Sequence, residues 1–124
     1  MSKNAISAIV VDDEPDNAHL IKRFFAMSGI NVVGEGYNGK EAVELYKTLK
    51  PDVTCLDLSM PVYDGFYAIE KIMGYDKNAN ILIITGTLNQ NTKSRLEELG
   101  LVHIFYKPLD LEAIAQYVVN LAKN

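Results

Sequence analysis

A chain of 124 residues, 48% of them hydrophobic, has the size and composition of a single domain with one core. Its formal charge of −4 gives no electrostatic reason to bind nucleic acid, and its apolar runs are strand-sized, too short to span a membrane. One cysteine, Cys55, excludes an internal disulfide framework; with no apolar signal region at the N-terminus, the expected location is the cytoplasm.

The predicted elements alternate between strand and helix. Ile6–Val11 is a continuous β-branched run, the pattern of a strand buried on both faces. Pro15, flanked by Glu14 and Asp16, suits the first turn of a helix running to about Met27, with Leu20, Ile21, Phe24 and Phe25 as its core stripe and Gly29 as its stop. Ile30–Tyr37 is a second strand, Asn38-Gly39 a turn, and Lys40–Leu49 a helix with Ala42, Leu45, Tyr46 and Leu49 on one face. Val53–Asp57 is the third strand; a loop from Leu58 to Gly65 leads to a helix carrying Phe66, Ile69, Ile72 and Met73. Ile81–Thr85 is the fourth strand. A polar stretch from Asn89 to Arg95 leads into a short helix ending at Gly100, and Val102–Tyr106 is the fifth strand. Asp110 is placed to cap a last helix with Ile114, Tyr117, Val118 and Leu121 inward.

Five strand-then-helix units in this length demand an α/β fold, a parallel sheet with helices on both faces. Ligand pockets in such sheets lie at the carboxyl ends of the strands, near the switch in strand order. Asp12, Asp13, Asp57, Thr85 and Lys107 all fall at such ends. Three carboxylates crowded there repel one another, each pair about 4 Å apart costing roughly 1 to 4 kcal/mol according to the effective dielectric. A divalent cation is the natural compensation, with Lys107 as a further positive charge. The pattern describes a metal-assisted pocket for a phosphoryl group.

Five short motifs stand in order at the strand ends: Val10-Val11-Asp12-Asp13-Glu14, Leu56-Asp57-Leu58-Ser59-Met60-Pro61, Asp64-Gly65, Ile84-Thr85-Gly86 and Tyr106-Lys107-Pro108. Each is weak alone; together they make the chain resemble the response-regulator receiver family, of the stand-alone CheY-like kind, over essentially its whole length. The resemblance implies a doubly wound, flavodoxin-like sheet in the order 2-1-3-4-5, one domain over residues 1–124 and no separate output domain. It implies that Asp57 is the phosphoacceptor. It also implies that Asp13, Asp57 and the Ser59 backbone carbonyl hold Mg²⁺ (Mn²⁺ in its place), with Asp12 acting through a bound water. Lys107 would pair with phosphoryl oxygens, Thr85 would hydrogen-bond the phosphoryl group and turn inward, and the bond before Pro108 would be cis. The implied partners are a histidine kinase or histidine phosphotransfer protein and a downstream protein target, with no nucleic acid or membrane, and the implied state is monomeric.

The chain departs from the family pattern in two respects. An aromatic residue usually stands three positions before the lysine; here it is Ile104. The output signal is therefore expected to run through the loop after Thr85 and the next helix, with Ile104 repacking modestly. The positions two after the phosphoacceptor and two after the switch threonine, Ser59 and Thr87, are neither acidic nor amides, so slow loss of the phosphoryl group is expected. Ser59 also argues against a haloacid-dehalogenase-type phosphatase, which needs an acid there.

Other signals read more plainly. Gly34-Glu35-Gly36-Tyr37-Asn38-Gly39 matches the dinucleotide fingerprint in letters, but Gly34 sits inside the strand and Glu35 would set a carboxylate near the pyrophosphate. His19 and His103 lack ligand spacing. Tyr63, Tyr67 and Tyr75 suit packing with a wet hydroxyl, and Asp64 suits a helix cap. Residues from Asn89 to Arg95, with His103, Ile104 and Tyr106, are a candidate docking face.

Overall fold

A computed structural model describes residues 6–60, 63–86, 88–101 and 103–122. Expectations resting on Pro61, Thr87 and Val102 lie outside these residues. Five parallel strands, β1 (Ser7–Val11), β2 (Asn31–Gly36), β3 (Val53–Leu56), β4 (Ile81–Thr85) and β5 (Ile104–Tyr106), lie in the order β2-β1-β3-β4-β5. They alternate with α1 (Pro15–Met27), α2 (Gly39–Leu49), α3 (Gly65–Tyr75), α4 (Gln90–Glu98) and α5 (Leu111–Ala122). The switch in strand order falls between β1 and β3. The parallel sheet is the one the sequence predicts, and its order is the one the family resemblance implies.

β3 and β4 are buried throughout, and β1 from Ala8 on, which is why they read as unbroken apolar runs. Alternate side chains feed two cores. Ile9, Val11, Leu56 and Ile83 meet Ala42, Tyr46, Ile69 and Ile72 of α2 and α3. Ala8, Val10, Cys55 and Ile84 meet Ile21, Phe25, Ile114 and Val118 of α1 and α5. Cys55 belongs to this packing; burial pushes its thiol up to about 12.

Helix starts follow the capping chemistry. The side chains of Asn38, Asp64, Asn89 and Asp110 accept hydrogen bonds from the amides of Glu41, Tyr67, Thr92 and Ala113 at 2.9, 3.0, 2.8 and 3.1 Å. Asn38-Gly39 is thus the opening of α2 rather than a separate turn. The polar stretch at Asn89 to Arg95 is α4 itself, capped by Asn89, with Leu96 as its buried contact. Leu20 and Leu49, expected in the core, are 48% and 39% exposed. α1 turns Ala18, Ile21 and Phe25 inward, and the neighbour of Ile21 necessarily faces away. α2 likewise buries Ala42, Val43 and Tyr46, leaving Leu49 at its rim. The Gly34 and Gly36 of the fingerprint-like run serve packing: a Cβ on either would sit 3.0–3.1 Å from Leu45 Cδ2 or Cδ1.

Candidate functional site: an acidic pocket at the strand ends

Backbone ladders carry on past the strands and fix the three decisive loops. The Asp12 amide donates to the Gly36 carbonyl at 3.1 Å, the Asp57 amide to Val11 at 3.0 Å, and the Lys107 amide to Thr85 at 2.7 Å. Each residue that continues a ladder extends into the crevice beyond the sheet, so residues 45 and 50 positions apart in sequence arrive together. One carboxylate oxygen from each of Asp12, Asp13 and Asp57 lies within 4.8 Å of the others. Asp12 and Asp57 are 2% and 3% exposed; Asp13 is half-buried.

Lys107 reaches into the cluster. Its Nζ lies 3.0 Å from Asp12 Oδ2 and 3.3 Å from Asp57 Oδ2. The other oxygen of each buried acid accepts from a backbone donor: Glu14 N–H reaches Asp12 Oδ1 at 2.9 Å, and Ser59 N–H reaches Asp57 Oδ1 at 3.2 Å. Burial pushes the Asp57 carboxyl above its ordinary value; Lys107 pulls it down and Asp12 pushes it up again. For Lys107 burial works against the ammonium, but hydrogen bonds and charge from Asp12 and Asp57 outweigh it and hold its pKa above the ordinary value. Three carboxylates and one ammonium leave two negative charges. All the acid donors are hard oxygens, the set a small divalent cation such as Mg²⁺ prefers, and one such ion neutralises the remainder. The site's residues fit the metal.

Thr85, at the end of β4, is fully buried, and its Oγ1 has no hydrogen-bond partner among the described residues. A buried unpaired hydroxyl costs about 1–3 kcal/mol, a cost that a ligand oxygen would remove. The Lys107–Pro108 bond is cis, as the resemblance implies. Ile104 packs partly buried against the α2–α3 core, Phe105 against the other, and Tyr106 is 47% exposed.

The candidates outside the pocket fall into the plain roles. His19 Nε2 lies 3.1 Å from Glu35 Oε1, and His103 stacks on Tyr117 with centroids 4.6 Å apart. Tyr63 packs on Tyr67 at 4.8 Å, and Asp64 caps α3. The sequence makes Lys107 a further positive charge beside the acids and the resemblance pairs it with phosphoryl oxygens; the structure adds its direct contacts with Asp12 and Asp57. Sequence reasoning missed the steric role of Gly65, whose signal was its place just past the Asp57 loop.

The charge balance has a measurable consequence. Because its carboxyl is raised in the folded chain, Asp57 binds its proton more readily there than in the unfolded chain. Stability therefore falls as pH rises through the window between the ordinary and the raised value. At neutral pH the ionised group works against folding. Without divalent cation, Asp57→Asn is expected to raise the thermal midpoint at pH 7 by about a few degrees. Calorimetry below pH about 3, where the carboxyl is largely protonated in both states, should find the gain gone.

Comparisons with known proteins agree with this geometry. The family model described as response regulator receiver domain matches residues 8–119. The chemotaxis protein CheY of Thermotoga maritima is 32% identical over 115 residues, 93% of this chain and 96% of that one. CheY of Listeria monocytogenes is 30% identical over 118 residues, 95% of this chain and 99% of that one. Among solved structures, the receiver domain of the putative response regulator NarL from Mycobacterium tuberculosis superposes with a TM-score of 0.88 at 28% identity, covering 98% of this chain and 99% of that one. A chain of the CheX–CheY–BeF₃–Mg²⁺ complex from Borrelia burgdorferi gives 0.86 at 28% identity, covering 94% and 89%. Motifs, strand order, strand-end acids and these matches lead to one assignment: the chain belongs to the response regulator receiver domain family and is similar over nearly its whole length to CheY proteins.

Proposed function

We propose that this chain is a phosphorylation-operated switch in which Asp57 is the phosphoacceptor. The observation that carries the reading is the convergence of Asp12, Asp13, Asp57 and Lys107 on one crevice beside the unpaired hydroxyl of Thr85. Asp13, Asp57 and the Ser59 carbonyl are the proposed ligands of Mg²⁺ or Mn²⁺, with Asp12 acting through a water. Bound there, the cation supplies positive charge against the phosphoryl oxygens. The Asp57 carboxylate attacks phosphorus, the bond to the donor's imidazole nitrogen breaks, and that nitrogen keeps the electron pair. Phosphoryl transfer asks mainly for positioning and charge neutralisation, which these side chains provide. Lys107 pairs with a phosphoryl oxygen, and the Thr85 hydroxyl turns to hydrogen-bond another.

The partners proposed are a histidine kinase or histidine phosphotransfer protein as donor and a protein target as reader. The reader docks on the α4–β5–α5 face, with Thr85, Ile104 and Pro108 at the switch. The chain acts as a monomer in the cytoplasm, with residues 1–124 as one receiver unit. It turns over no separate substrate; it catalyses its own phosphorylation and its slow dephosphorylation, with Ser59 and Thr87 leaving the attacking water poorly oriented. Phosphorylation shifts a two-state equilibrium only by its differential affinity for the two states. The test is transfer from a purified, phosphorylated histidine phosphotransfer domain with Mg²⁺. Label should move to the wild-type chain and fail to move to Asp57→Asn. Equal labelling of both would overturn the assignment.

A further inference from the structure

α4 is weakly anchored. Leu96 is its one buried residue, with Leu88 and Leu99 at its ends only partly buried against the core. Its first turns face α3 across a cleft of about 430 Å³ that reaches from Thr85 and Leu88 to Ser59, Phe66 and Arg95. One side chain closes the far end. The Arg95 guanidinium carbon sits 3.9 Å from the centroid of the Phe66 ring, and Arg95 Nη2 lies 3.2 Å from Glu70 Oε2. Phe66 and Glu70 are one turn apart on α3, so a single arginine grips one face of that helix.

The two contacts differ in weight. Arg95 and Glu70 side chains are 52% and 64% exposed, so the ion pair alone is weak. The cation–ring contact is the stronger part, because the guanidinium carbon sits over a ring that itself packs on the core. Nothing in the phosphoacceptor chemistry uses Arg95; it touches none of the pocket acids in the contacts described.

We propose that Arg95 is a positioning residue that latches α4 to α3 in the resting protein and so sets how readily the Thr85 end of β4 switches. This rests on the reading that Asp57 is phosphorylated and that the loop after Thr85 carries the signal. Thr85 is joined to α4 by a short loop, so a shift of Thr85 toward the pocket pulls on the start of α4. A contact present in the resting state and lost in the switched one is a differential interaction, and it lowers the apparent affinity of anything that selects the switched state. Removing it raises that affinity.

The test compares the full chain as wild type, Arg95→Ala and Arg95→Lys, with beryllofluoride and Mg²⁺ as the phosphoryl probe. Arg95→Ala is expected to bring half-saturation down about fivefold, equivalent to about 1 kcal/mol at 1.4 kcal/mol per tenfold. Arg95→Lys, which keeps the charge and loses the planar guanidinium, should show most of the same shift. Thermal midpoints separate a latch from plain stabilisation. A latch lowers the midpoint of the resting protein and leaves that of the beryllofluoride-bound protein at the wild-type value. Equal losses in both states with unchanged half-saturation would overturn the proposal. Acetyl phosphate labelling of the wild type at Asp57 is run alongside: labelling with no Arg95 effect defeats the latch alone, whereas no labelling defeats the functional reading and the latch with it.

Discussion

Lys107→Ala should lower the thermal midpoint of the cation-free protein by about 10 °C, and Mg²⁺ should return most of it. Among the described residues the ammonium is the one positive charge in contact with Asp12 and Asp57, at 3.0 and 3.3 Å, and both acids are almost fully buried. Breaking a buried pair by deleting one partner costs about 3–5 kcal/mol; because Lys107 is itself 25% exposed, solvent reduces this to about 2–4 kcal/mol. For a domain of this size each kcal/mol is worth about 2–8 °C. A divalent cation bound at a hundred times its Kd restores about 2.7 kcal/mol. Lys107 has a raised pKa in the folded chain, so its contribution is fully present below the ordinary lysine value and fades as pH rises through the raised one. The variant lacks that contribution at neutral pH. Acid should narrow its gap from wild type as Asp57 takes up its proton and the repulsion with Asp12 ends. Calorimetry at pH 7 and pH 5, with and without Mg²⁺, checks all three statements; an unchanged midpoint without Mg²⁺ would show that the lysine does not compensate the acids.

Gly65→Ala should cost more in chemistry than in stability. A Cβ at residue 65 would stand 2.6 Å from Leu58 Cα and 2.7 Å from the Asp57 carbonyl oxygen, nearly 1 Å inside ordinary contact. Both neighbours are backbone, so no side chain can swing aside. The Gly65 amide also donates to Leu58 O at 3.0 Å, tying the start of α3 to the residue after Asp57. Relief must come from moving α3 or moving Asp57. Overpacking of this kind costs about 1–3 kcal/mol, while a displacement of about 1 Å at a reacting group can cost about a hundredfold in rate. The expected result is a midpoint several degrees lower and acetyl phosphate labelling slowed about a hundredfold. Gly74→Ala is the control, since a Cβ there meets nothing within 4 Å and helix propensity favours it. It should be as stable as wild type or more so, with labelling unchanged. Equal labelling rates for the two variants would mean that the Gly65 contact does not set the position of Asp57.

Much of this architecture is legible in the sequence because the governing signals are local. Buried parallel strands announce themselves as unbroken runs such as Ile81–Thr85, and Asp64 and Asp110 announce helix starts. The pocket is legible for a topological reason: a parallel sheet gathers every strand end on one side, so acids that follow strands must meet. What stayed hidden depends on neighbours far along the chain. Leu20 is apolar enough for a core, yet the faces of Ile21 and Phe25 already fill the space against α5. The tight seat of Gly65 requires knowing that Leu58 lies beneath it. Arg95 looks like one charge in a polar run until α3 brings Phe66 under it.

The central claim is that Asp57 accepts a phosphoryl group because cation and lysine together neutralise a buried acid cluster. Incubation of the purified chain with acetyl phosphate, with and without Mg²⁺, followed by intact mass and peptide mapping, tests it directly. The account predicts one phosphoryl group per chain, on residue 57, appearing only when the divalent ion is present. An adduct on another residue, one formed as fast after the ion is chelated, or none at all would contradict it.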